Sequence, residues 1–228
     1  MESTSQVPSR FYTDTTNKPF SCTVKHIPIK RIFDITFSAI ALTLFFPFLI
    51  MIMLLIKFSS QGKVFYSHER VGRGGKNFAC VKFRTMYPDA DARLEMLLKN
   101  DPELQKEWAR SYKLKNDPRV TPIGKFLRRT SLDEFPQFWN VLKGDLSVVG
   151  PRPVLQEEID RYFKANAHKV LSVRPGLTGI WQVSGRSNTS YKTRIQMDEY
   201  YVDNRNFLLD LKLVLKTVPC MILSRGAY

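Results

Sequence analysis

The sequence predicts an α+β fold, mostly helical. It has an N-terminal membrane segment built as helix–break–helix and a small domain with amphipathic interfacial helices. Three observations support this. ITFSAIALTLFFPFLIMIMLLI runs without a charge for 22 residues between Asp34 and Lys57. VFYSHERVGRGGKNFACVKFRTM, at 64–86, reads as two short strands around a turn at Gly72 to Gly75. Most of the remainder has helical periodicity, with starts and stops marked by Thr, Pro and Gly.

Residues 1–25 are rich in Ser, Thr and Pro, lack periodicity and read as a mobile leader. The membrane segment is placed at 26–58. As a straight helix its apolar run would reach about 33 Å, enough for a bilayer core. The run is too long, and its leader too polar, for a secretory signal peptide. Basic residues flank both ends: Lys25, Lys30 and Arg31 before it, Lys57, Lys63, Arg70, Arg73 and Lys76 after it. Such flanks place both ends in the cytoplasm. Pro47, near the middle, removes one helical hydrogen bond, and Thr36, Ser38 and Thr43 are at hand to satisfy freed backbone groups. Two arrangements stay open from these residues alone: a segment that breaks and returns to the same face, and a tilted span with a kink.

The domain at 59–228 follows. DADARLEMLLKN carries acids in its first turn and Lys99 in its last, and PELQKEWARSYKL is amphipathic. TPIGKFLRR offers Thr121 as N-cap and Pro122 as first helical residue, and FWNVLKG closes on Gly144. The tail NFLLDLKLVLKTVPCMIL is interrupted by Asp210, Lys212 and Lys216, which suits a helix lying on a membrane surface.

Lys and Arg total 35 against 21 acids, a formal charge of +14, which calls for an anionic partner such as nucleic acid, a phospholipid surface or a phosphorylated small molecule. Cys22, Cys80 and Cys220 are far apart and form no CxxC, so a disulfide framework or zinc site is not expected and a reducing compartment fits. Against nucleic acid stand the lack of any groove-reading motif and the spread of cations over loops.

In TSLDEFPQFWN, Asp133 and Glu134 are adjacent and follow Arg128 and Arg129. SLDE matches a capping box with Ser131 as N-cap and Glu134 reaching back. That reading leaves Asp133 without a task and puts Pro136 inside the helix. Capping and catalysis therefore both remain open. A carboxylate among arginines at a helix start is expected to have a lowered pKa and to stay ionised. It can then bind a divalent cation or attack phosphorus. Lys82, Arg84, Arg128, Arg152, Arg174 and Arg186 lie in or beside loops, where their donors suit phosphate oxygens. Asp89-Ala90-Asp91 has a metal-binding spacing but opens a helix, where acids favour the dipole.

KRIFDITFSAIALTLFFPFLI, VKFRTM, NDPRVTPIGKFLRRTSLDEFPQFWNVLKGDLSVVGPRPV and RPGLTGIWQVSGR resemble the bacterial sugar transferases, the monotopic phosphoglycosyl transferases. The likeness runs from about Lys30 to the end, and the ending resembles the hexose-1-phosphate branch used for exopolysaccharide. It implies transfer of galactose or glucose 1-phosphate from a UDP-hexose to undecaprenyl phosphate, with release of UMP and with Mg2+. It also implies a re-entrant membrane segment in contact with membrane lipids, in the inner membrane of a bacterium, with catalysis on the cytoplasmic face. By motif, Asp133 is the nucleophile and the carboxylate beside the metal, and Glu134 assists as base or metal neighbour. Lys82, Arg84, Arg128 and Arg152 hold phosphates, and Arg174 and Arg186 are weaker candidates for the nucleotide. Lys30 and Arg31 meet head groups or the acceptor phosphate. Asp198 sits where the family places an acid. A homodimer is an open option. The rival expectations are a membrane-tethered nucleic-acid-binding protein and a non-catalytic scaffold.

Overall fold

The computed structural model describes residues 28–111, 114, 116–163, 167–184 and 190–222. The leader at 1–25 and Arg186 lie outside them.

Helix α1 spans Pro28–Ser59, 32 residues. Its inward stripe is Asp34, Ser38, Leu49, Ile52 and Ile56, all buried. Its other faces are apolar and open: Leu44, Phe46, Met51, Leu54 and Phe58 are all exposed, Phe58 at 84%. Such a surface is costly in water and natural in lipid, and the protein is accordingly membrane-associated. The expected break at Pro47 is not there, because the helix runs through it. One proline removes a single hydrogen bond, here to the Thr43 carbonyl, and its neighbours keep helical geometry.

Strands β1 (Phe65–Val71) and β2 (Asn77–Phe83) form the expected antiparallel hairpin, from Phe65↔Phe83 to Val71↔Asn77. Gly74 and Gly75 take positive φ in its turn. Cross-strand pairing puts Tyr66 opposite Lys82 and His68 opposite Cys80. With the alternation of a strand, Tyr66, His68, Arg70, Cys80 and Lys82 share one face.

The helices α2 (Ala90–Asn100), α3 (Pro102–Ser111), α4 (Pro122–Thr130) and α5 (Gln137–Lys143) follow. The Thr121 hydroxyl caps α4, accepting from Gly124 N at 3.0 Å. A Cβ on Gly124 would lie 2.0 Å from Thr85 O, so only glycine lets α4 meet the segment after β2. Beyond α5 come β3 (Ser147–Val149), short turns α6 (Gln156–Glu158) and α7 (Ala167–Val170), β4 (Gly176–Thr178), α8 (Ile180–Ser184), α9 (Tyr191–Asn204) and α10 (Phe207–Ile222). Strands β3 and β4 pair in parallel. Leu208 and Leu215 on α10 are 76% and 64% exposed, as suits a surface-lying helix.

Both ends of α1 are fastened to this one domain. At its N-terminal end, Lys30 pairs with Asp210 at 2.6 Å, and Tyr201 donates to the same carboxylate at 2.7 Å. Asp34 accepts from Ser147 Oγ and Val148 N, both at 3.0 Å. Arg31 donates to Val141 O and Leu142 O at 2.7 and 2.9 Å, closing the C-terminus of α5. At the other end, Leu49, Ile52 and Ile56 pack with Phe83 and Leu127. There Arg84 donates to Gln61 O and Ser60 O at 2.9 and 2.7 Å, just past the last turn of α1.

Candidate active site

Asp133 and Glu134 sit on a 3-10 turn, Leu132–Glu134, between α4 and α5. The capping-box reading does not hold. Ser131 has φ 58° and ends α4, its N–H bonding to Arg128 O, and its side chain caps nothing. Glu134 instead reaches Lys82 Nζ at 2.5 Å. The left-handed residue turns the chain sharply, so both carboxylates face the hairpin rather than a helix end.

The two acids are driven apart in charge. Burial and the neighbouring Glu134 push Asp133 up to about 6, against the pull of Lys82 and Arg128. This corrects the expectation of a lowered value, because burial disfavours the charged form and Glu134, paired with Lys82, adds its repulsion. Burial pushes Glu134 up too, but the bonded Lys82 and the charges of Arg152 and Arg70 outweigh it and hold Glu134 below the glutamate range. Its side chain keeps 43% of its surface at the pocket mouth, so the cations rather than burial decide its charge.

Beside this pair opens a pocket lined by Arg70, Lys82, Glu134 and Arg152 together with Pro153, Leu177 and Gln182. Lys82 and Arg152, both expected to hold phosphates, line this pocket. Arg128 stands near Asp133 and is steadied by Thr85 Oγ1 at 3.0 Å. The other cations are committed elsewhere. Arg84 holds the end of α1, Arg31 the end of α5, and Lys30 the Asp210 carboxylate. Arg174 donates to Gly144 O at 2.8 Å. These four meet protein oxygens and are not among the residues lining the pocket. Asp89 bonds Arg93 at 2.9 Å at the start of α2, in line with the helix reading of its DxD.

Arg70 was missed. The strand alternation that puts it on the face of Lys82 was the available signal. Asp198 is 1% exposed and accepts from the Arg152 N–H. Burial pushes it up to about 7 despite Arg194 and Arg152. It therefore supports the Arg152 loop from behind.

Mg2+ takes one or two protein carboxylates, and phosphate oxygens and water complete its shell. Among the described residues no group of three or more His, Cys, Asp or Glu forms an all-protein cage. The adjacent Asp133 and Glu134 fit the phosphate-completed kind.

A carboxylate pair beside a cluster of cations, on a membrane-associated α+β scaffold, has the charges that phosphoryl transfer needs. The chain belongs to the bacterial sugar transferase family, whose profile matches residues 25–224, and it is an enzyme of that class. It is 49% identical over 199 residues to the exopolysaccharide production protein ExoY of Rhizobium meliloti, covering 87% of this chain and 88% of that one. It is 46% identical over 201 residues to the undecaprenyl-phosphate galactose phosphotransferase of Salmonella typhimurium, covering 88% of this chain and 42% of that longer protein. An N-acetylgalactosaminephosphotransferase of Aeromonas hydrophila, acting on undecaprenyl phosphate by its name, is 35% identical over 204 residues, covering 87% of this chain and 45% of that one.

The Asp133 value carries an expected outcome for stability. The folded state holds this proton above the ordinary 3.8, so ionising Asp133 destabilises the fold progressively from about pH 4 through 6 and by a constant amount beyond. Asp133→Asn should then be about 2–3 kcal/mol more stable than wild type at pH 8 and equal to it at pH 3. Chemical denaturation in detergent checks this, and a variant less stable at pH 8 would contradict it.

Proposed function

We propose that the enzyme transfers galactose or glucose 1-phosphate from a UDP-hexose to undecaprenyl phosphate, releasing UMP, as the first membrane step of exopolysaccharide synthesis. The observation that carries this is the split pair. Asp133 is partly buried, forms no ion pair among the described residues, and is pushed up to about 6, while Glu134 is neutralised by Lys82 at the mouth of a cationic pocket.

Asp133 is the nucleophile. Its carboxylate oxygen attacks the β-phosphorus, and the bond from that phosphorus to the oxygen bridging to UMP breaks. The electron pair leaves with UMP, whose charge Arg70 and Arg152 offset. The hexose phosphate is then an acyl phosphate on Asp133. An oxygen of undecaprenyl phosphate attacks the same phosphorus, the bond to Asp133 breaks, and the carboxylate is restored. Glu134, held ionised, takes the proton of a monoprotonated acceptor. Asp133, with Glu134 beside it, would hold Mg2+, which would supply charge neutralisation at a diphosphate.

The acceptor is a lipid, and α1 sets its approach. We read α1 as re-entrant, with both ends and the catalytic domain on the cytoplasmic face of the bacterial inner membrane. A helix of 32 residues reaches about 48 Å. Lys30 and Arg31 at one end, and Ile52 and Ile56 at the other, bind the same domain, which argues against ends on opposite faces.

Purified protein given labelled UDP-galactose or UDP-glucose with undecaprenyl phosphate should move label into the lipid extract, with one UMP formed per label. Release of UDP, or no transfer from either sugar, would overturn the reading. For topology, Arg10→Cys and Lys63→Cys should both resist an impermeant thiol reagent in intact cells. Labelling of one of them from outside would refute re-entrance.

A further inference from the structure

Around Gln182 and Arg152, which line the pocket, several buried polar atoms lack a hydrogen-bond partner. Gln182 Oε1, Arg152 Nε, Trp181 Nε1, Arg194 Nε and Asp198 Oδ2 are shielded from solvent and have no such partner among the described residues, while Arg194 Nη2 has only the Glu158 carboxylate, at 3.7 Å. Native proteins pair the large majority of such atoms, so a concentration of this kind asks for an explanation. The atoms also form one neighbourhood. The guanidinium groups of Arg194 and Arg152 lie 4.3 and 5.3 Å from the Trp181 ring centre. Asp198 accepts from the Arg152 N–H, and Gln182 lines the pocket beside Arg152.

Glu134 has Lys82, Arg152 and Arg70 as charged neighbours, and all four line the pocket together with Gln182. Arg194 and Asp198 are charged neighbours of Arg152. Displacement at phosphorus is roughly in line, with the leaving oxygen opposite the attacking one. A nucleotide whose phosphate leaves onto Arg70 and Arg152 therefore shares its pocket with Gln182.

Resting on the transfer reading above, we infer that Gln182 reads the uracil of the donor. Uracil presents one N–H between two carbonyl oxygens. The carboxamide of Gln182 offers the matching acceptor and donor, and the Nε of Arg152 and the Nε1 of Trp181 are further donors nearby. Pro153 and Leu177 give a flat ring apolar sides. A site built to bond a particular edge rejects analogues that leave its buried groups unpaired.

The test uses the full chain in detergent and measures loading of labelled hexose phosphate onto the protein, with UMP and CMP as competitors. Wild type, Gln182→Ala and Gln182→Met are compared. Methionine keeps the length and approximate volume and removes only the amide. UMP should compete about tenfold more weakly in both variants, and its advantage over CMP should vanish. The loss should fall on loading and on UMP competition rather than on discharge of a loaded protein to undecaprenyl phosphate, since no nucleotide takes part in discharge. A packing defect would slow both steps together and overturn the inference. Unchanged UMP competition with an altered galactose-to-glucose ratio would also overturn it and put the hexose at Gln182. Wild-type protein that neither loads nor releases UMP would overturn the transfer reading, and this inference with it.

Discussion

Two arginines lock the membrane helix to the domain, one at each end, and the position of the site depends on them. Arg31, on α1, closes the C-terminus of α5, and Arg84, at the end of β2, closes the C-terminus of α1. Last-turn carbonyls have no partner inside their own helix, and bonds from a charged donor are worth about 1.5–3 kcal/mol each. Between these fastenings the middle of α1 meets the catalytic turn through aromatic rings. Phe45 lies 5.2 Å from Phe135, and Phe37 lies 6.0 Å from Phe138. The segment that contacts lipid thus also braces the residues next to Asp133 and Glu134.

Within the site, one cation shared unequally between two acids creates two chemical roles. Lys82 neutralises Glu134 and leaves Asp133 partly buried beside a charge of its own sign. Neither arrangement requires an unusual residue, only the left-handed Ser131 that aims both side chains toward β2. Arg70 and Arg152 then set the cationic end of the pocket, and Asp198 steadies the Arg152 loop.

The local rules in the sequence were legible wherever they act on neighbouring residues. Thr121 and Pro122 at the start of α4, Gly144 at the end of α5, and the glycine turn of the hairpin all stand as expected. Long-range partners were harder to read. An arginine that meets phosphate and one that meets a backbone carbonyl share the same side chain and the same kind of loop. Arg84, Arg31 and Arg174 proved to be of the second kind. The SLDE box failed because φ at Ser131, which no pattern of side chains reveals, decides whether that serine starts a helix or ends one. Pro47 was read as a break because a lone proline and a hinge look alike until the neighbouring residues are placed.

The central claim is that the phosphohexose passes through a covalent bond to Asp133. The most direct measurement is the intact mass of the purified protein after incubation with Mg2+ and a UDP-hexose in the absence of acceptor, for wild type and Asp133→Asn. The account predicts one hexose-phosphate adduct on wild type, none on the variant, and loss of the adduct when undecaprenyl phosphate is added. An adduct that persists in Asp133→Asn, or UMP release that begins only with acceptor and without any adduct, would contradict it.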